Sequence, residues 1–428
     1  NELDGQFSFF YLNKKKKKIY FARDRIGQKP LYVSTTKKNI LFASNLRSIL
    51  EYKSIVEIDN DSINQYLAYG ANFAPRTLFK NIHKISAGNY LEIDYGEGEF
   101  IKRSVEYWNP ASFFDNKKFN QVEFESLFAE SVSKRMIADV EIANFLSGGI
   151  DSTSIVKNLS DLNYKVNTFS VIVGNQKYNE KKYIQKVVKK YKTNHKEIIV
   201  DERISNLIIN EAVRCLDEPY GDPSVVPSYY ISKLISKNYK VAISGDGGDE
   251  LLGGYYRLKN HLKKKKYFDN LISNLYKIYP SFLGTGSKLK SLSSNSFEAY
   301  LSYLEDAKFI KLLGINELAK SLRVNINEKE PLYKSLLSLE YKYYLADQMM
   351  FKVDRTSMAN SVEVRSPLVD HKLVEYIFSH SFEYFDSKNQ KLPLQSYLSN
   401  DFSTEFLNRP KQGFVFDYKE WVYKNFSI

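Results

Sequence analysis

The stretch Ile142-Ala143-Asn144-Phe145-Leu146-Ser147-Gly148-Gly149-Ile150-Asp151-Ser152 decides the fold. A short apolar run, a small-residue turn and a new mixed run predict a strand, a loop and a helix opening near Asp151. In that geometry the loop N–H groups and the first N–H groups of the helix converge on one point and make an anion site. Two glycines let backbone approach a phosphate closely, and the Ser147 and Ser152 hydroxyls add donors. Asp151 would repel a bare phosphate, but it fits if it holds Mg²⁺ that bridges to phosphate oxygens. The loop therefore points to nucleotide chemistry at a pyrophosphate.

Outward from this loop, strand and helix patterns alternate. Helix 121–138 leads to strand 141–146. After the loop come helix 153–162, strand 166–173, helix 180–191, strand 196–200, helix 205–216, helix 228–237 and strand 240–244. That order predicts a parallel sheet covered on both faces, with ligands at the carboxyl ends of its strands. Beyond residue 255 the pattern is mainly helical. Upstream, residues 6–12 and 19–22 flank a lysine tip as a hairpin, 31–34 and 40–43 form another, and strands recur near 87–94. Helices are expected at 46–52 and 61–68, and residues 103–118 read as a polar and aromatic linker.

A second glycine-rich segment, Ser244-Gly245-Asp246-Gly247-Gly248-Asp249-Glu250, follows the apolar run Val241-Ala242-Ile243. A solvated turn is the plainer reading of acids among glycines. Two such loops, both at strand ends of one parallel sheet, favour a metal site with a further carboxylate, because tight backbone lets carboxylates converge.

The 428-residue chain is long enough for two or three domains, and 43% hydrophobic residues is ordinary for a globular protein. No apolar run reaches the roughly 20 residues that a membrane span needs. The net charge of +12 comes from lysines spread along the chain, so no nucleic-acid or membrane partner is expected. One cysteine, Cys215, cannot form an intrachain disulfide, which fits a cytoplasmic protein. It lies in an apolar helical stretch and reads as a core residue. The five histidines show no metal-ligand spacing.

The two loops together resemble those of the glutamine-hydrolysing asparagine synthetases. Further stretches carry the same resemblance: Asp217-Glu218-Pro219-Tyr220-Gly221-Asp222, then Asp354-Arg355-Thr356-Ser357-Met358-Ala359 continuing through Glu363-Val364-Arg365-Ser366-Pro367-Leu368-Val369-Asp370-His371, and Arg409-Pro410-Lys411-Gln412-Gly413-Phe414. Leu3-Asp4-Gly5-Gln6-Phe7 and Ala22-Arg23-Asp24-Arg25-Ile26-Gly27-Gln28-Lys29-Pro30-Leu31-Tyr32 resemble the later half of the family's glutaminase domain. The resemblance covers nearly the whole chain. It implies an α/β protein in which residues 1–108 are a partial antiparallel β-sandwich of the Ntn-hydrolase-like glutaminase. Residues 109–118 would be a linker, and residues 119–428 a parallel-sheet ATP-pyrophosphatase domain with a helical C-terminal part.

The resemblance also implies the chemistry. The substrates would be ATP, aspartate and glutamine or ammonia, with Mg²⁺ as cofactor; a homodimer is compatible with it. Aspartate would be adenylated to β-aspartyl-AMP with release of pyrophosphate, and ammonia would then displace AMP. Ser147, Gly148, Gly149, Ile150, Asp151 and Ser152 would cradle the pyrophosphate, while Leu146, Val171, Ser244 and Gly245 would contact the nucleotide. Asp151 and Asp249 would hold Mg²⁺, Lys411 would stabilise charge at the α-phosphate, and Asp246 would serve intermediate formation and the deprotonation of ammonium. Glu250, Arg355, Glu363, Arg365 and Asp370 would either touch substrate or brace the helical part with ion pairs. Arg23 and Asp24 would fix the fold of the first domain. The family's glutaminase uses an N-terminal cysteine, which is expected upstream of Asn1. Related amide-forming synthetases, acting in β-lactam closure, peptide cyclisation or amidation of polysaccharide sugar acids, are the alternative. A binding protein that keeps the fold without turnover is a third reading.

Overall fold

The computed structural model describes residues 2–37, 39–53, 56–96, 100–173, 180–200, 206–263, 275, 279–280, 285, 287–291, 296–306, 310, 331–381 and 391–409. The N-terminal part is two antiparallel sheets. Strands β1 (Ser8–Asn13) and β2 (Lys18–Arg23) form the expected hairpin, with Asn13 opposite Lys18 and Lys17 in a left-handed conformation at the tip. Cross-strand rings hold its register, with Tyr11 stacked on Tyr20 at 6.2 Å. Strands β3 (Tyr32–Thr35), β4 (Ile40–Ala43) and β5 (His83–Lys84) make the sheet β4-β3-β5. Strands β6 (Asn89–Asp94) and β7 (Ile101–Glu106) complete the sheet β1-β2-β6-β7. Phe21, Leu31, Val33, Ile85 and Ile93, drawn from both sheets, form the core between them. Edge strand β1 leaves Phe10 50% and Tyr11 56% exposed.

The stretch expected to be a linker is built into the fold. Residues 103–106 belong to β7, Pro110–Phe113 is a 3₁₀ turn capped by Asn109, and β8 (Lys117–Lys118) lies beside a later strand. Its aromatic residues are the reason. Trp108 is buried and donates to Glu375 at 2.7 Å, and Phe113 and Phe114 pack on the main core.

Beyond it the helix α1 (Gln121–Arg135) is capped by Asn120 and leads to β9 (Ile142–Phe145). The central sheet has the order β11-β10-β9-β12-β13, every pair parallel. Its members are β9, β10 (Asn167–Val173), β11 (Asn194–Val200), β12 (Val241–Ile243) and β13 (Glu363–Arg365). Strand β13 falls in the part expected to be mainly helical, since three residues with one apolar centre leave no alternation to read. Alternating side chains serve two layers. Ile142, Val241 and Ile243 face a core shared with Phe128, Val156, Ile184 and Leu373, while Ala143 and Ala242 face Ile231 and Ile235. Beyond β13, β14 (His380–Ser381) pairs with β8.

Buried ion pairs join the two parts. Arg23 meets Asp347 at 3.4 Å, and Lys84 meets Glu218 at 3.2 Å, where the Tyr32 hydroxyl also donates at 2.7 Å. Asp347 sits in a stretch of wide π-helical turns, Glu340–Met349, between helices Leu332–Leu339 and Met350–Met358. Arg23 also donates to the carbonyls of Gly27, Lys29 and Ile85, and Asp24 accepts from the backbone of Ile26, Gln28 and Lys29. Both therefore do the fold-fixing work expected of them.

Candidate active site

Strand β9 is where the chain order reverses. It leads through helix α2 (Ile150–Asp161) to β10 on one side, while β12 joins it on the other. The crevice at the carboxyl ends of β9 and β12 is thus the switch point at which such sheets bind ligands. Both glycine-rich loops open into it, and they touch. A Cβ on Gly245 would lie 2.9 Å from Asp151 Cβ and 3.1 Å from the Ser152 nitrogen, so only glycine permits the approach.

The first loop has the form of an anion cradle. Gly148 takes φ +73°, which glycine alone adopts without cost, and a side chain there would meet Ile184 at 3.1 Å. Gly149 caps α2 without a side chain, so the positive end of a 12-residue helix lies at this loop. Ser147 Oγ accepts from Gly149 N at 3.2 Å and lies 3.2 Å from Ser152 Oγ. Leu146 is buried and hydrogen-bonded to the carbonyl of Phe169 at 2.8 Å, and Val171 lies further along the same neighbouring strand. Ser244 Oγ is 2.8 Å from Ser366 Oγ, which ties the second loop to the end of β13.

The acids of the two loops converge on one cation that sequence reasoning missed. Lys391 Nζ contacts Asp151 Oδ2 and lies 2.7 Å from Asp249 Oδ1. Burial pulls the Lys391 pKa down, yet the two carboxylates prevail and hold it well above the usual lysine range. Gly248 and Gly254 make room for this group, since a Cβ on either would collide with the Asp151 carboxylate or with Asp249 and Lys391. Two hard carboxylates sharing one positive centre beside a glycine-rich loop are a donor set that suits Mg²⁺. Nothing in the sequence sets Lys391 apart from the other lysines.

A second polar group lies beside the second loop. Glu250 is fully buried, accepts from the Tyr255 hydroxyl at 2.6 Å, and is pushed up to about 7 by burial and by the charge of Asp249. Tyr255 thus packs against the end of this loop. Lys352, also missed, is buried and donates to Ser224 Oγ at 2.8 Å and Asp222 Oδ2 at 3.1 Å. Burial lowers its pKa, but Asp222 and Asp246 outweigh that and raise it. A lysine inside the apolar run Met349-Met350-Phe351-Lys352-Val353 was the signal that could have found it.

Apart from Glu250, the residues with two readings fall into ion pairs. Arg355 makes a two-pronged contact with buried Asp217 at 2.8 and 2.7 Å, Asp370 pairs with Arg135 at 2.6 Å, and Glu363 pairs with Arg365 at 2.6 Å. Lys411 lies outside the described residues. Cys215 is held in its helical turn, and burial pushes its thiol up to about 12, as befits a packed thiol rather than a nucleophile. His371 pairs with Asp4 at 3.2 Å. No helix among the described residues is long and apolar enough to cross a membrane.

Comparisons with known proteins agree with this geometry. The family model described as asparagine synthase matches residues 123–427, and the one described as a glutamine amidotransferase domain matches residues 1–108. The glutamine-hydrolysing asparagine synthetase 1 of Bacillus subtilis is 28% identical, over 99% of this chain and 69% of that protein. The putative glutamine-hydrolysing asparagine synthetase 2 of Methanocaldococcus jannaschii is 33% identical, over 83% of this chain and 73% of that protein. A putative glutamine-hydrolysing asparagine synthetase of Mycobacterium tuberculosis H37Rv is 26% identical, over 98% of this chain and 68% of that protein. With both domain models matched in order along the chain and a relative at 33% identity, the chain belongs to the glutamine-hydrolysing asparagine synthetase family.

Proposed function

We propose that the protein forms asparagine: ATP adenylates the side-chain carboxylate of aspartate, pyrophosphate departs, and ammonia displaces AMP. The observation that carries this reading is the meeting of two strand-end glycine loops whose acids, Asp151 and Asp249, share one positive centre. The aspartate carboxylate attacks the α-phosphorus, the bond to the bridging oxygen breaks, and pyrophosphate leaves with the electron pair. Ser147, the N–H groups from Gly148 to Ser152 and the Ser152 hydroxyl bind that leaving group. Asp151 and Asp249 would hold Mg²⁺, which, when bound, offsets charge on the pyrophosphate. Leu146, Val171, Ser244 and Gly245 position the nucleotide. Asp246 takes a proton from ammonium before nitrogen attacks the acyl carbon. Lys411, outside the described residues, is assigned to the α-phosphate. Cys215 is not assigned to glutamine hydrolysis, because burial keeps it a neutral thiol.

The test is pyrophosphate release with ATP, Mg²⁺, ammonium and a set of acids. Release that requires aspartate and yields asparagine supports the reading. Release without aspartate, or with a different acid only, removes it. Asp151→Ala should abolish release while circular dichroism is unchanged, and near-normal turnover would remove the metal role of Asp151.

A further inference from the structure

Lys391 has a place in the site that the reaction above does not use. Its backbone takes φ +57°, a left-handed conformation that costs a non-glycine residue roughly 1 kcal/mol. Its carbonyl accepts from the N–H groups of Leu394 and Gln395, both at 3.0 Å, so the residue is fixed to the start of helix Leu392–Leu398. That helix is tied to α2 through Tyr397, whose hydroxyl donates to Asp161 at 2.9 Å and accepts from Asn158 at 3.3 Å. The ammonium is thus delivered from a rigid support to the two carboxylates, one from each loop. Gly254 leaves the space in which its last methylene and Asp249 lie. Two carboxylates held together from separate loops repel one another unless a cation lies between them.

We propose that Lys391 is the resident cation of the metal-free site: its ammonium bridges Asp151 and Asp249 and must be displaced before a divalent cation binds there. The inference rests on the metal assignment made above. It follows that Lys391 holds the loops closed in the absence of metal and lowers the affinity for the free ion. A site that is open one-tenth of the time binds about tenfold more weakly than one that is always open.

The experiment titrates the full protein with Mn²⁺ alone, without nucleotide, and follows the free ion by electron paramagnetic resonance. Lys391→Met is expected to tighten Mn²⁺ binding at least about tenfold. It should also lower the melting temperature in chelator and recover more of it on Mn²⁺ addition than the unaltered protein does. Unchanged or weaker Mn²⁺ binding by the variant overturns the proposal. Adding Asp249→Asn to Lys391→Met separates the two readings. If Mn²⁺ affinity survives that change, the metal assignment itself fails. If it is lost while Lys391→Met had not raised it, only the role of the lysine fails. Should the variant not fold, crystals of the unaltered protein soaked in Mn²⁺ decide the matter. Lys391 Nζ is expected to have left both carboxylates, and Nζ still bridging them beside bound Mn²⁺ overturns the proposal.

Discussion

Arg355→Met separates a bracing role from a substrate contact. The guanidinium donates twice to Asp217, whose side chain is 1% exposed, and once to the carbonyl of Ser44 at 2.8 Å. Methionine keeps an apolar stem but removes the guanidinium, which lies 5.3 Å from the Phe351 ring centroid, and leaves a buried carboxylate without its counter-ion. Breaking a buried pair from one side costs about 3–5 kcal/mol. Asp217 keeps the N–H of Leu46 at 2.6 Å, so the low end, about 3 kcal/mol, applies. A cooperative unit of about 300 residues unfolds with an entropy near 0.6 kcal/mol/K, so the melting temperature should fall by about 5 °C. Asp217→Asn in the same protein should recover part of that loss, because the orphaned charge is gone. The assay is a double-mutant thermal cycle together with the KM for the acid substrate. If Arg355→Met melts within a degree of the unaltered protein while KM rises tenfold or more, the guanidinium contacts substrate and the bracing argument is wrong.

Two further outcomes follow from the site. Gly245→Ala places a methyl group against the backbone of Ser152 and the Cβ of Asp151, neither of which can swing away. Overpacking of about 1–3 kcal/mol should open the gap between the loops and weaken ATP binding severalfold in calorimetry, and unaltered affinity would show that the loops do not meet as described. Glu250 titrates near 7 in the folded protein against a reference of 4.5. Its contribution to stability is therefore complete below pH 4.5 and is lost as the pH rises through 7. Glu250→Gln, which still accepts from Tyr255, should be more stable than the unaltered protein at pH 8, by up to about 3 kcal/mol, and nearly equal to it at pH 4.5. An equal difference in urea midpoints at both pH values would contradict the burial argument.

Much of this protein is legible along the chain. The loop Ser147–Ser152 and the loop Ser244–Glu250 are local patterns: apolar runs that end in glycine and acid, each defined by neighbours in sequence. Period-two and period-3.6 runs likewise mark the hairpins and the alternating strands and helices, because side-chain direction in each element follows from its own backbone. What sequence alone misplaced was structure whose signal is not periodic. Residues 103–118 read as a polar and aromatic linker, yet Trp108, Phe113 and Phe114 bind that stretch to the core. Strand β13 is three residues long and is stabilised by β12 rather than by any pattern of its own.

Sequence by itself determined which residues could make the cradle and which acids could serve it. Only the tertiary structure decided that β12 returns beside β9 and brings Gly245 against Asp151, and that a lysine 240 residues further on closes the pair. The same holds for Arg355, Lys352 and Glu250, whose meaning depends on what surrounds them. A charge is defined energetically by its burial and its partners, and those partners come from distant parts of the chain, where adjacency in sequence carries no information.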